Sequence, residues 1–221
     1  MLRVGLCVAM LACTINGVPV DEDVADMGRI ELPDPREVGE HSVEELMAAR
    51  RSVRSFTDEP LTHEQMGQLL WSGQGITEPA HGFRTAPSAG ATYPMTLYLV
   101  SAEGAYRYDP EDHEMIPVRA GDRRMDLRRV ALDQASISEA PVSIVVVADY
   151  ARTTGRYGDR GIRFVHIEAG HIAQNIHLQA VAEGLGSVPI GAFDDDGVLE
   201  VLGLSDDLTP LYIIPVGHAA R

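Results

Sequence analysis

The sequence predicts an α+β domain organised around one sheet. Val142–Ala148 (VSIVVVA) is short and apolar throughout, as a strand covered on both faces must be. Phe164–Phe193 repeats instead at helical period and carries two opposed apolar stripes. Ala169, Ile172, Ala173, Ile176 and Ala180 form one, and Ile167, Leu178, Val181 and Leu185 the other. Helices and strands mix without a regular βαβ unit or an internal repeat, which is the pattern of an α+β chain. At 221 residues the chain suits one domain of ordinary size with a substantial core.

Residues 1–27 stand apart from residues 28–221. Arg3 precedes an apolar run, Val4–Ala12, too short to span a bilayer but long enough for the centre of an export signal. Met10-Leu11-Ala12-Cys13 approximates a lipoprotein cleavage site, with Leu where a small residue is usual. A cytoplasmic protein with an N-terminal extension is the expectation, and export or lipid anchoring through Cys13 is the alternative. Residues 21–41, acidic and carrying Pro33 and Pro35, read as an extended lead-in.

Ser42 with Glu45 forms a capping-box pattern that starts a helix running to about Arg50. A second helix follows Thr62, points Met66, Leu69, Leu70 and Trp71 inward, and ends at Gly73 and Gly75. Met95–Ser101 is β-rich, and Ala105–Pro110 with Met115–Val118 reads as a hairpin. Residues 121–135 are helical in character. After the central strand and the long helix, Gly184 and Gly186 mark a left-handed helix end. Gly197–Gly203 is a short helix, and Leu211–Val216 closes the chain as a strand that Pro215 places at an edge or a strand end.

Composition narrows the chemistry. A net charge of −15 argues against nucleic-acid partners, which need clustered cations. No lysine is present, so Schiff-base and lysine general-base chemistry are excluded. The only cysteines, Cys7 and Cys13, lie in the N-terminal extension, which leaves the body without a disulfide, a thiolate nucleophile or a cysteine metal site. In so acidic a chain, Arg50-Arg51-Ser52-Val53-Arg54 is conspicuous. In an extended backbone Arg50, Ser52 and Arg54 would project to one side, a donor set suited to phosphate. Compensation of a helix dipole would account for one such arginine but not three. Small residues between Pro87 and Pro94 form either an ordinary surface loop or one whose amides approach a ligand. Glu168 and His171 have Glu-x-x-His spacing, but the further Glu and His of a di-iron site are missing, so no metal is expected.

Six stretches in unbroken order over about residues 28–218 then resemble one family. They are Arg50–Phe56, Leu69–Thr77, Pro87–Pro94, Glu168–Asn175, Gly184–Asp195 and Pro215–His218. Together they resemble the nitroreductase superfamily and, within it, the SagB-type, thiazole- and oxazole-forming FMN-dependent dehydrogenases. The resemblance implies a nitroreductase-like fold, a mainly antiparallel central sheet flanked by helices, in an intertwined homodimer with FMN at the interface. It implies that Arg50, Ser52 and Arg54, with Arg51 beside them, hold the FMN phosphate and ribityl chain. Pro87, Ser88, Ala89 and Gly90 match a loop supplied by the partner subunit, and Pro189, Ile190 and Gly191 match the segment against the isoalloxazine. Gln134 falls in the region that meets the pyrimidine edge. Larger relatives carry a basic tail after the Val-Gly-His segment, a contact expected to be reduced here. Gly191 follows Ile190 directly, without the Glu of many nitroreductases, which favours the SagB-like branch.

The expected function is therefore FMN-dependent oxidoreduction of a small molecule or of azoline rings in a modified peptide, with NAD(P)H a candidate donor. Tyr150 and Tyr157, just before the long helix, are candidate acid or base groups. The alternatives are a flavin-binding module without turnover, and an acidic exported binding protein whose arginines are structural.

Overall fold

The computed structural model describes residues 14–15, 18–19 and 22–220. Val4–Ala12 and both cysteines lie outside the described residues. In chain order the elements are β1 (Thr14–Ile15), β2 (Val18–Pro19), α1 (Glu22–Ala25), β3 (Ile30–Glu31), α2 (Val43–Ala49), α3 (His63–Gln74), β4 (Ile76–Glu78), β5 (Phe83–Arg84), β6 (Met95–Val100), β7 (Gly104–Asp109), β8 (Glu114–Ala120), α4 (Arg124–Val130), α5 (Ala135–Glu139), β9 (Val142–Ala148), α6 (Tyr150–Tyr157), α7 (Arg160–Ala182), β10 (Gly186–Ser187), α8 (Asp195–Leu202) and β11 (Thr209–Gly217). Seven strands form the main sheet in the order β10-β11-β9-β6-β7-β8-β3. Every neighbouring pair in it is antiparallel.

The apolar run Val142–Ala148 is indeed interior. β9 lies between β11 and β6, and all of its residues are buried. Its side chains alternate between two cores, as the pleat requires. Ile144 and Val146 join α3 and α7 on one face; Val145 and Val147 join α4 and α8 on the other. The sheet is thus covered by helices on both sides. Pro215 does not sit on an edge: β11 is flanked by β9 and, over its last residues, by the two-residue β10.

The lead-in is more structured than its composition suggests. α1 packs beside β8, with Val24 buried, and β3 adds to the outer edge of β8. Gly73 does not terminate α3, which runs on to Gln74 with Gly75 as its cap. A Cβ on Gly73 would stand 2.9 Å from Leu97 and 3.2 Å from Ile176, so glycine there lets the helix approach the sheet and α7 closely.

The long helix α7 buries only one of its two stripes. Ala169, Ile172, Ala173, Ile176 and Ala180 all face the core, whereas Ile167 is half exposed and Leu178 and Val181 are partly so. Leu185, the fourth of that stripe, lies beyond the helix end and is buried in the core. Its end is a complete Schellman motif. Leu185 N–H donates to the Ala180 carbonyl (2.7 Å), Gly184 N–H donates to that of Val181 (3.0 Å), and Gly184 has a φ of 72°. This closure turns the chain straight into β10 and the segment that follows it.

Candidate functional site

The site begins where α2 stops. Ser42 and Glu45 exchange the two bonds of a capping box, and Arg50 at the other end leaves helical geometry for an extended strap. The strap lies along the edge of the sheet. Ser52 bridges Ser187 in parallel, Val53 N–H donates to the Ser187 carbonyl (3.0 Å), and Phe56 bridges Ala219. A Cβ on Gly186 would come within 2.6 Å of the Val53 side chain, so the strap sits this close because β10 offers glycine there.

The three strap arginines have separate employments. Arg51 folds back, and its Nη1 donates to the carbonyls of Ala48 (3.0 Å) and Arg50 (2.7 Å) at the end of α2. Arg50 Nη1 donates to His177 Nε2 at 3.0 Å, and the His177 Nδ1 lies 2.5 Å from Ser187 Oγ. Arginine can only donate, so Nε2 is the acceptor, Nδ1 carries the proton, and Ser187 Oγ accepts it. Burial first, and the Arg50 charge second, hold the His177 pKa down to about 4. A neutral imidazole protonated at Nδ1 cannot serve as base toward Ser187, which excludes a serine-nucleophile reading of this pair. Arg54 is exposed and makes no hydrogen bond or ion pair among the described residues.

Beyond β10, Ile190 exchanges both backbone bonds with Ile213 of β11 (2.8 and 2.9 Å), pinning Pro189–Gly191 to the sheet. A Cβ on Gly191 would meet only Tyr212, at 3.9 Å, so the backbone there faces open space. Gln134 Nε2 donates to the Ala192 carbonyl and to that of Ala131, both at 3.1 Å, and so latches the same segment from the other side. Leu132 and Asp133, immediately before it, hold left-handed φ values of 56° and 54°, a strained turn of the kind retained at ligand sites. The strap and His177 thus meet at Ser187 of β10, and Gln134 meets the Pro189–Gly191 segment that follows β10.

Pro87–Gly90 lies elsewhere. Ser88 sits beside Glu168, nine positions before His177 on α7. At 100° and 1.5 Å per residue, that places the loop about half a turn round the helix and ~14 Å along it from the strap. The loop is tightly made. Ser88 Oγ accepts from Tyr93 N–H (2.9 Å), Arg156 Nη1 donates to the Gly90 carbonyl (2.9 Å), and Ala91 and Tyr93 hold left-handed φ angles. A Cβ on Gly90 would strike the Tyr157 hydroxyl at 2.5 Å. Behind the loop, Glu168 is 2% exposed, and burial raises its pKa to about 6 against the opposing pull of Ser88, Arg84, Gln74 and Arg152. Arg84 donates to Gln74 Oε1 (2.5 Å) and stacks on Tyr93. Glu168 Oε1 and Gln74 Nε2 are buried without a well-formed partner, so the chain Arg84–Gln74–Glu168–Ser88 is incompletely satisfied.

The family model described as the nitroreductase family matches residues 47–218, most of the chain, including the strap, His177, Gln134, Pro87–Gly90 and Pro189–Gly191. The chain belongs to the nitroreductase family. A protein of Methanocaldococcus jannaschii that is itself named as a nitroreductase is 40% identical over 201 residues, covering 88% of this chain and 98% of its own. A crystal structure from Ralstonia eutropha, also named as a nitroreductase, superposes with a TM-score of 0.81 at 28% identity over the whole of both chains. The NADPH:FMN oxidoreductase of Vibrio harveyi, in a complex with NAD+, matches at a TM-score of 0.60 and 26% identity, over 80% of this chain and 69% of that one.

In this nitroreductase-family chain, the strap is joined to β10 at Ser187, Gln134 is joined to the segment after β10 at Ala192, and Pro87–Gly90 is set apart from both. Arg51 is committed to the end of α2. Tyr157 leans on Gly90 and packs edge-on against Phe164, while the Tyr150 hydroxyl is taken by His166 Nε2 at 2.5 Å. Glu168 and His171 do not converge, since one is buried and the other exposed. Sequence reasoning missed His177, since the α7 metal motif that was weighed, Glu168 with His171, does not include it. The available signal was its position beside Ile176 at the margin of the buried stripe.

Proposed function

We propose that this protein is an FMN-dependent oxidoreductase acting as a homodimer. The observation that carries the reading is the strap, Arg50–Phe56, clamped to β10 with Arg54 unengaged and the open backbone of Gly191 beyond it. Arg50 and Arg54 would hold the phosphate through charge-assisted bonds, with the Ser52 hydroxyl beside them. Pro189–Gly191 would lie against the flat ring, where glycine keeps the backbone accessible, and Gln134 Oε1, which has no partner among the described residues, would meet the pyrimidine edge. FMN supplies the two-electron chemistry, and the protein binds, orients and shields it. The V. harveyi relative, named as an NADPH:FMN oxidoreductase, supports NAD(P)H as donor.

Homodimerisation is supported by apolar surface without cover. α2 has no buried residue, and its Val43 and Met47 are more than half exposed, as is nearly the case for Ile167 on α7. In such a dimer the partner would supply Pro87–Gly90, and Tyr157, which leans on that loop, is better placed than Tyr150 for an acid or base role. The SagB-like branch, with azoline rings of a modified peptide as substrate, is the finer proposal, and its support is Gly191 following Ile190 directly. The test is direct. Purified protein should show a flavin spectrum that NAD(P)H bleaches, and Arg50→Ala with Arg54→Ala should weaken FMN at least about a hundredfold, since each charge-assisted contact is worth roughly 1.5–3 kcal/mol. Wild-type protein that neither contains nor takes up FMN would overturn the reading, as would a double variant that keeps stoichiometric FMN.

A further inference from the structure

We propose that His177 is a positioning residue for Arg50: its neutral imidazole, braced by Ser187, receives one guanidinium N–H and so fixes the direction in which the remaining N–H groups point. The inference rests on the reading of Arg50 as a phosphate ligand, and its test separates the two.

The argument starts from how little else holds Arg50. It is the residue at which α2 ends, α2 buries nothing, and the only hydrogen bond of its side chain among the described residues runs to His177. A long side chain at a helix end samples many rotamers, and ordering it costs up to about 2 kcal/mol of entropy. His177 removes that freedom in advance. Its own ring cannot rotate, because it is 4% exposed and its Nδ1–H is committed to Ser187 Oγ. Ser187 in turn is fixed by backbone pairing to Val216 on one side and to the strap on the other. The chain Ser187–His177–Arg50 therefore transmits the rigidity of the sheet to one guanidinium nitrogen. This is the arrangement by which a second residue sets the tautomer and aim of a first.

The arrangement also selects the tautomer. With the proton on Nε2, two donors would face each other across 3.0 Å, so the Nδ1–H form is required. A lysine at position 50 could not offer a planar fork to an anion while also bonding His177.

The experiment compares two flavins. FMN and riboflavin differ by the phosphate alone, and binding of each to flavin-stripped protein is followed by quenching of flavin fluorescence. His177→Phe keeps the ring volume and removes the acceptor. It is expected to weaken FMN by about tenfold, the size of one lost positioned bond, and to leave riboflavin unchanged. His177→Gln, whose Oε1 can accept from Arg50, should restore most of the FMN preference. In the Arg50→Ala background, His177→Phe should have no further effect on FMN. Equal losses of both flavins, or no loss of either, in folded His177→Phe would overturn the proposal. Should that variant fail to fold, the ¹⁵N shifts of the wild-type His177 ring decide: Nδ1–H with an unprotonated Nε2 supports the relay, and the opposite tautomer refutes it. If Arg50→Ala itself leaves the FMN-to-riboflavin ratio unchanged, the phosphate reading falls first. If that ratio drops while His177→Phe leaves it intact, only the relay falls.

Discussion

Glu168 shows how a single carboxyl can report on the state of the loop it supports. Its pKa in the folded protein is raised to about 6, chiefly by burial, from an ordinary 4.5 in the unfolded chain. The native state therefore binds this proton more tightly than the unfolded state. The corresponding stability is fully present below pH 4.5 and is lost as pH rises through about 6, a loss of about 2 kcal/mol. Glu168→Gln removes the titration while keeping an oxygen and an amide in place. Urea unfolding of wild type and variant at pH 4.5 and pH 7.5 should show the variant gaining about 2 kcal/mol on the wild type at the higher pH. An identical pH dependence in the two proteins would mean that Glu168 is solvated, and that the Arg84–Gln74–Glu168–Ser88 chain is not a buried network. At this scale the sequence was read unevenly. Alternation along the strap marked Arg50, Ser52 and Arg54, because two-residue periodicity is a property of the backbone alone. That Arg51 would turn back onto the α2 carbonyls is a choice among rotamers, which spacing does not encode.

Among the elements, α7 is where pattern and packing part company. Its two apolar stripes are legible at 100° per residue, and one of them is buried entirely. Periodicity cannot say which stripe faces the protein's own core, because alanine and glycine suit both close helix packing within a chain and close approach between chains. Ala173 is 4% exposed and packs with the α3 and sheet core, and the open face carries Ile167, Gly170 and Gln174. Two substitutions separate the roles. Ala173→Asp should unfold the subunit, since an unpaired charge buried there costs several kcal/mol. Ile167→Asp should leave the fold intact and yield a monomer in sedimentation. A folded Ala173→Asp, or an Ile167→Asp that stays dimeric, would reverse this assignment of faces. The Ser42–Glu45 capping box, the interior strand β9 and the Schellman end of α7 were legible because each is fixed by a few adjacent residues. α1 and β3 were not, since they persist only by packing against β8.

For the whole molecule, the proposed site divides into two parts. The strap, Gln134 and Pro189–Gly191 would form one half, and Pro87–Gly90 with its strained backbone, about half a turn round α7 from the strap, would form the other. In the proposed dimer each complete site would combine the strap of one subunit with the loop of its partner, and mixed dimers test this. One subunit carries Arg50→Ala with Arg54→Ala. The other carries Gly90→Val, which cannot hold a φ of 62° and would collide with Tyr157. Either variant alone should form a dimer that has lost its tight flavin. In the mixed dimer, one site combines both defects and is lost, while the other joins an intact strap to an intact loop. Differently tagged subunits, co-expressed and purified as the mixed species, should therefore recover half the wild-type flavin content. If strap and loop of the same chain served one site, each subunit of the mixed dimer would carry a damaged site and no flavin would return. A colourless mixed dimer would accordingly refute the partner-loop arrangement, while flavin retained by the Gly90→Val homodimer would remove the loop from the site altogether.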